Sequence, residues 1–200
     1  MQFALTRAEV DQYAHTNQYA MMMFMDAASD YFACRCCILN NLFSGFRLAS
    51  EAVEKLLKAF IFLQTGSKSM LKGRDRHNPY LLKEELKRSR PDQSLDAYDD
   101  VLRKLYNHFL SRYFDNVVSD RGASGGELPQ IDELFLHLVE SLPMPEEVKY
   151  RSAFFSQICN ETARRHWRTY YWAMQDNHVL RNKIESIERK YQQVFTHLYG

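Results

Sequence analysis

The sequence has no apolar run long enough to cross a membrane. Residues 20–25, Ala-Met-Met-Met-Phe-Met, are apolar throughout, but a membrane-spanning helix needs about 20 such residues. Residues 1–11 lack a cationic lead into an apolar segment, so we expect no secretory signal. Four cysteines without an export signal are typical of a reduced, cytoplasmic protein.

Excess charge of one sign is also absent. The chain has 26 Lys and Arg against 25 Asp and Glu, a net charge of +1. This balance excludes a bulk polycation, so any contact with nucleic acid must come from a local patch. The hydrophobic share of 46% and the charged share of 26% are ordinary for a soluble globular protein. Two hundred residues can form one domain, or one domain with an appendage, around a real core.

Several familiar catalytic and cofactor-binding motifs are missing. The chain has no Walker loop, no dinucleotide-binding glycine fingerprint, no H-E-x-x-H and no G-x-S-x-G. We therefore predict no cofactor. Cys34, Cys36 and Cys37 are close together, but a tetrahedral zinc site needs four converging ligands and only the distant Cys159 remains. We predict no metal site and interpret the cysteines as small buried residues of the opening helix.

Helical spacing runs through every long apolar segment, and no strand is indicated. The pattern predicts helices at about residues 17–42, 49–65, 79–88, 95–113, 131–142, 146–175 and 177–199, with breaks at Gly45 and Gly66 and a loop at 117–127. Within the second of these helices, Glu51 with Lys55 and Glu54 with Lys58 are predicted ion pairs on the outer face.

A basic loop joins the second and third predicted helices. From residue 68 to residue 90, eight Lys or Arg oppose three acidic residues, an excess of five positive charges. Asn78 is a good helix N-cap and Pro79 a good first helical residue. Four unpaired backbone N–H groups should therefore point back at the cations, which together indicate an anion site. The competing interpretation is a solvated loop and helix face.

Residues 49–59, Ala-Ser-Glu-Ala-Val-Glu-Lys-Leu-Leu-Lys-Ala, followed by Gly66, resemble the second helix of the HEPN family (higher eukaryotes and prokaryotes nucleotide-binding). Residues 76–82, Arg-His-Asn-Pro-Tyr-Leu-Leu, resemble the Gly-His-Asp-Leu-like turn that often follows in this family. Residues 112–116, Arg-Tyr-Phe-Asp-Asn, partly match its Arg-Tyr-Pro-like end of the fourth helix. The resemblance covers residues 48–116, about a third of the chain.

This resemblance implies an all-α, up-and-down helical bundle that commonly forms a homodimer. We predict an HEPN-like bundle over residues 1–142 and a C-terminal helical extension, residues 143–200, packed on it. Members of the family are ribonucleases of toxin or defence systems, or non-catalytic modules that bind nucleotides or nucleic acid.

The ribonuclease members carry an arginine followed by four to six residues and a histidine. Here Arg103, four residues and then His108 fit that spacing. If the pair is catalytic, His108 is the acid or base and Arg103 stabilises the phosphorane charge. Five steps along a helix separate two side chains by about 140°, so convergence needs a dimer partner or a local distortion. The competing interpretation is that both are helix-surface residues.

The favoured function is a non-catalytic module that binds a nucleotide or RNA through phosphate contacts. Its predicted site comprises Lys72, Arg74, Arg76, His77 and Arg112, with Tyr113 available for stacking. One alternative is a metal-independent endoribonuclease that uses Arg103 and His108. Another is a regulatory protein whose basic loop contacts an acidic protein partner. We expect no membrane association in any of these cases.

Two C-terminal patterns have open interpretations. Residues 163–172 alternate arginines with large aromatics, which suits phosphate pairing with base stacking but is better explained by a buried helix stripe. The last predicted helix has a heptad-like seam formed by Leu180, Ile184, Ile187, Tyr191, Val194 and Leu198. That seam is compatible with packing inside one chain or across a homodimer.

Overall fold

The computed structural model is an all-α bundle, as predicted. It describes residues 3–91, 95–110, 125–161 and 168–200. Within these ranges there is no strand, and the α-helices are α1 (Arg7–Thr16), α2 (Gln18–Leu39), α3 (Ser44–Thr65), α4 (Pro79–Ser89), α5 (Asp99–Leu110), α6 (Leu128–Ser141), α7 (Glu146–Tyr150), α8 (Ala153–Cys159), α9 (Arg168–Met174) and α10 (His178–Tyr199). Short 3₁₀ turns at Asp75–His77 and Asp96–Tyr98 precede α4 and α5.

The long helices α2 and α3 pack tightly on each other and form the centre of the bundle. Their close approach is visible at Gly45, where an added Cβ would lie 2.6 Å from Ile38 Cγ1 and 2.8 Å from the Cys34 carbonyl oxygen. Gly45 lies inside the first turn of α3, so the break between α2 and α3 comes at residues 40–43, just before the predicted position. A glycine here lets the backbones meet, whereas a side chain would force them apart.

The N-terminal segment is attached to the bundle by a buried carboxylate. Glu147 Oε1 accepts hydrogen bonds from the backbone N–H of Ala4 at 2.7 Å and of Leu5 at 3.0 Å. Helix α1, which the sequence pattern did not predict, then begins with a capping box formed by Thr6 and Glu9. Val10 is the residue of α1 that is buried in the core.

The predicted helix over residues 146–175 is wrong, because the chain is interrupted at Ser152 and at Asn160. Both residues have extended backbone, with ψ of 160° and 123°. The breaks let α7 and α8 turn separate apolar faces inward, and the rings of Tyr150 and Phe155 stack at 4.4 Å. The predicted joint between the last two helices is confirmed at Asp176, whose φ of 54° is left-handed, and at the N-cap Asn177.

The C-terminal helix α10 packs within the chain. Along its heptad-like seam, five residues are buried in the same hydrophobic core as α2, α3 and α6: Leu180, Ile187, Tyr191, Val194 and Leu198. Helix α10 contacts α6, α7 and α8. Leu142 and Met144, on either side of the predicted boundary at residue 142, are both buried in this core. The seam therefore packs against helices of the same protomer.

A buried polar network joins α2 to α6 and to the α9–α10 junction. The guanidinium of Arg35, which is fully buried, is paired with Asp132 and donates from Nε to the Trp172 carbonyl at 2.8 Å. Tyr31 Oη donates to Asp132 Oδ1 at 2.8 Å, and Asn177 Nδ2 donates to Tyr31 Oη at 2.9 Å. Every member has a partner, as a buried charge requires.

Candidate anion-binding site

The basic loop, residues 66–78, connects α3 to α4 along a defined path. It leaves α3 at Gly66, whose left-handed φ of 70° ends the helix as predicted. Glu85 of α4 then holds the loop, since its carboxylate accepts from Ser69 Oγ at 2.5 Å and from the Met70 N–H at 2.8 Å. This contact fixes the loop backbone next to α4.

The four cations of the basic loop are exposed. They are Lys68, Lys72, Arg74 and Arg76, and Asp75 is the one acidic residue in this stretch of sequence. Lys68 Nζ lies 4.7 Å above the ring centroid of Tyr19 on α2, a cation–π contact. The loop therefore brings a local positive charge to one surface of a nearly neutral chain.

Glu54 of α3 lies beneath the basic loop rather than on the outer face of the helix. Its side chain is only 8% exposed. The predicted ion pair with Lys58 is confirmed at 2.5 Å, but the predicted exposure is wrong because the loop covers this face. Glu54 has a second partner that the sequence pattern did not indicate. His77 Nδ1 lies 3.0 Å from Oε1 and 3.2 Å from Oε2 of the carboxylate.

Lys55, which was predicted to pair with Glu51 one turn earlier on α3, has a different partner. Lys55 is bonded to Asp30 of α2, so this lysine ties the two central helices together.

The ring of His77 is fixed on three sides. Glu54 accepts at Nδ1, Arg76 Nε donates to Nε2 at 2.9 Å, and the ring of Phe109 on α5 stacks on it at 5.3 Å with a 17° interplanar angle. A carboxylate only accepts and an arginine Nε only donates. The two polar contacts together therefore require a neutral imidazole with its proton on Nδ1.

The N-terminus of α4 satisfies its own backbone donors. Asn78 Oδ1 accepts from the N–H of Tyr80 at 3.0 Å and of Leu81 at 3.4 Å. The Leu82 N–H bonds to the Asn78 carbonyl at 3.0 Å, and Pro79 has no N–H. The predicted N-cap is confirmed, but the prediction of four N–H groups facing the cations is wrong. The N–H groups at the start of α4 therefore do not serve an anion at this site.

The basic charges on α4 belong to a different cluster. Lys83 is 2% exposed and bonds to Glu84, Asp96 and Asp99. Burial alone would lower the pKa of Lys83, but these hydrogen bonds raise it above its usual range. Lys87 Nζ is bonded to Asp96 at 2.7 Å. The excess of five positive charges over residues 68–90 is therefore partly offset at Lys83 and Lys87, and the basic loop itself contributes three of the five.

Arg103 and His108 contact different parts of the bundle. The guanidinium of Arg103 is exposed and lies 3.7 Å above the ring of Tyr80 on α4. His108 is only 9% exposed, and its ring stacks on Phe46 of α3 at 4.7 Å. His108 Nε2 is 3.2 Å from Oε2 of Glu127. One chain does not bring the two side chains together, and His108 is not the helix-surface residue of the competing interpretation.

Several predictions fall outside the described residues. These are the site residues Arg112 and Tyr113, most of the loop at 117–127, and residues 163–167 of the arginine–aromatic stretch. Of the last stretch, Tyr171 is 57% exposed, whereas Ala173 just beyond it is fully buried.

Sequence reasoning missed Glu54 as the partner of His77, although α3 carries a signal for its burial. Ser50, Glu54, Leu57 and Ile61 follow one another at steps of 4, 3 and 4, and all four are buried. A second buried stripe lies beside it, formed by Ala49, Ala52, Val53, Leu56 and Phe60, so α3 is buried on a wider face than one helix contact would require. A lone glutamate inside such a stripe indicates a buried partner.

No family model matches this chain, and neither the curated proteins nor the solved structures yield a match. Among the described residues, no helix is long and apolar enough to span a bilayer. The same part of the chain contains no group of three or more His, Cys, Asp or Glu able to hold a metal ion. All four cysteines have free thiols, Cys34 and Cys159 being buried and Cys36 and Cys37 half-buried.

Proposed function

We propose that the protein is an HEPN-like module that binds a nucleotide or RNA by its phosphate groups at the basic loop. The proposed contacts are Lys72, Arg74, Arg76 and His77. The observation that carries the proposal is a set of exposed cations on a loop whose backbone is held by Glu85 and whose histidine is held by Glu54. Such preorganisation lowers the entropic cost of binding.

Phosphate is the ligand chemistry that fits these side chains best. A guanidinium offers paired N–H donors to phosphate oxygens, and lysines add charge. Because the whole chain carries a net charge of only +1, the attraction is local to the loop. Each phosphate contact releases counterions, so binding should weaken steeply as salt rises.

Binding can be tested with a fluorescent 2′-O-methyl oligouridylate, which lacks the hydroxyl needed for self-cleavage. We expect the double variant Arg74→Gln with Arg76→Gln to lose most of its affinity and to show a shallower salt dependence, by about one to two units of slope. A matched control is Arg181→Gln with Arg189→Gln, which removes the same charge from exposed positions on α10. Equal affinity of the two double variants would contradict the proposal.

Arg112 and Tyr113 stay in the proposed site as hypotheses. They follow Phe109, which stacks on His77, by three and four residues in the sequence. Single substitutions at these positions would show whether they add to phosphate affinity and base stacking.

The ribonuclease alternative also stays a hypothesis, and it now requires a homodimer. Arg103 of one protomer would have to meet His108 of its partner, since within one chain they contact α4 and α3 respectively. The third hypothesis, an acidic protein partner for the basic loop, predicts no affinity for any phosphate ligand.

Four free thiols support the proposed cytoplasmic, reduced location.

A further inference from the structure

Arg76 is tied to His77 by a bond that only the neutral histidine can make. Arg76 Nε donates to His77 Nε2 at 2.9 Å. An arginine has no acceptor and stays charged at every accessible pH. A proton on Nε2 would therefore place two N–H donors face to face. The bond would be lost, and two cationic groups would stand side by side.

Protonation would not release the other side of the ring. His77 Nδ1 faces the Glu54 carboxylate at 3.0 Å, and an imidazolium bonds to a carboxylate more strongly than a neutral imidazole does. Phe109 keeps its stacking contact in either state. The ring stays in place, and Arg76, which is exposed, is the group that becomes free to turn.

Among the described residues, the charged and titratable groups around His77 come from four elements, and α5 contributes Tyr106, whose ring stacks on Phe109 at 6.2 Å. Helix α3 contributes Glu54 and Lys58, the histidine's own turn contributes Asp75 and Arg76, and α2 contributes Tyr19. Burial, together with the nearby charge of Glu54, raises the pKa of Tyr19, so this phenol stays neutral over the range in which a histidine titrates. The side chain of His77 is 31% exposed, and protons from solvent can reach it.

We propose that His77 and Arg76 form an anion clamp that takes up one phosphate group together with one proton. In the unliganded neutral state the clamp is closed on itself by the Arg76–His77 bond. When His77 gains a proton at Nε2, that N–H and the released guanidinium both become donors to the same phosphate. This inference rests on the proposed function, and it adds the proton as an obligatory companion of the ligand.

The consequence is a reciprocal linkage between phosphate and proton. A ligand that prefers the protonated clamp must bind more tightly at lower pH, and by the same factor it must raise the proton affinity of His77. For one linked proton the affinity gains at most about tenfold for each pH unit.

The test measures the affinity of the same 2′-O-methyl oligouridylate at pH values from about 8 to about 6, where histidine titrates. Its phosphodiesters and uracils keep their charge over this range. We expect the affinity of the wild-type chain to rise by at least about fivefold on acidification. In His77→Gln the amide can still donate to Glu54 and accept from Arg76, yet it cannot gain a proton, so its affinity should change less than about twofold.

A matched control is His178→Gln, which removes an exposed histidine at the start of α10. Its pH dependence should equal that of the wild-type chain. Equal pH dependence of the wild-type chain and His77→Gln, with binding retained, would overturn the proton linkage and leave the proposed function standing. Absence of binding by the wild-type chain at every pH would overturn both.

A second measurement decides the case if His77→Gln does not fold. The Arg76 Nε–H resonance of the unliganded wild-type chain can be followed by NMR during acidification. We expect it to shift and to exchange faster with water as its acceptor is lost. A resonance that keeps its shift and its exchange rate would overturn the clamp.

Discussion

His77 and Glu54 lie 23 positions apart in the sequence, and their side chains meet with Nδ1 3.0 Å from the carboxylate. The contact joins the basic loop to the central helix α3. It also couples the candidate site to the core, because Glu54 is buried among the residues that hold α3 in the bundle.

Replacing Glu54 by alanine should destabilise the protein as well as loosen the loop. Lys58 and His77 would both lose a charged acceptor, and we expect the free energy of unfolding to fall by about 1–3 kcal/mol. Chemical denaturation measures this change. The control is Glu185→Ala on the exposed face of α10, which should change stability by less than about 0.5 kcal/mol. Similar losses in the two variants would contradict a special role for the buried carboxylate.

Replacing Glu85 by alanine tests the anchoring of the loop. Ser69 and the Met70 N–H would lose their acceptor, so the loop would have to be ordered at the moment of binding. We expect affinity for the oligouridylate to fall by severalfold with little change in stability. Unchanged affinity in titrations at constant salt and pH would show that the loop does not need this anchor.

Replacing Arg35 by leucine should be among the most destabilising single changes in this fold. It would leave Asp132 as a buried, uncompensated carboxylate, at a cost of about 3–5 kcal/mol in the free energy of unfolding. A surface comparison is Lys183→Ala, which breaks an exposed pair with Glu140 and should cost less than about 1 kcal/mol. Equal decreases in the free energy of unfolding of the two variants, measured by denaturant titration, would contradict this prediction.

Glu147 should give the protein an acid-sensitive attachment of its N-terminal segment. Burial would raise the pKa of Glu147, but the backbone N–H groups of Leu5 and Ala4 lower it below its ordinary value of 4.5. The stabilisation is therefore present above about pH 4.5 and is lost as pH falls through the lower folded-state value. Glu147→Gln should be less stable at neutral pH and should lose less further stability on acidification. Parallel stability curves between about pH 3 and pH 7 would contradict this.

His108→Ala separates the binding module from the ribonuclease. The ring stacks on Phe46 and bonds to Glu127, so its loss should reduce the free energy of unfolding by about 1–3 kcal/mol. Affinity for the oligouridylate should stay the same. Cleavage of unmodified RNA by the wild-type chain that disappears in both His108→Ala and Arg103→Ala would instead support the ribonuclease.

Much of the fold follows from local signals in the sequence. The end of α3 at Gly66 and the N-cap of α4 at Asn78 depend on one or two residues with strong conformational preferences, and both are confirmed. The interruptions at Ser152 and Asn160 depend on how short helices fit the core, which no local pattern specifies. Helix α1 is similar, because Val10 is the residue of α1 buried in the core and the apolar periodicity is correspondingly weak.

Only part of the candidate site could be predicted from the sequence. The exposed cations could be found by counting charge, but the Glu54–His77 contact joins residues on separate elements. The self-capped N-terminus of α4 was predictable in principle, since Pro79 has no N–H and a capping asparagine uses two of the remaining donors.

The anchoring of Arg35 by carbonyl groups near the end of α9 has a consequence for how the chain is made. Its guanidinium sits on α2, yet its acceptors on Trp172 and Gln175 leave the ribosome some 140 residues later. A nascent chain can pair Arg35 with Asp132 once α6 has been made, but it lacks two of the guanidinium's acceptors until synthesis is nearly finished. We expect fragments that stop before residue 172 to be recognised by chaperones and proteases as unfinished protein, however complete their first six helices are.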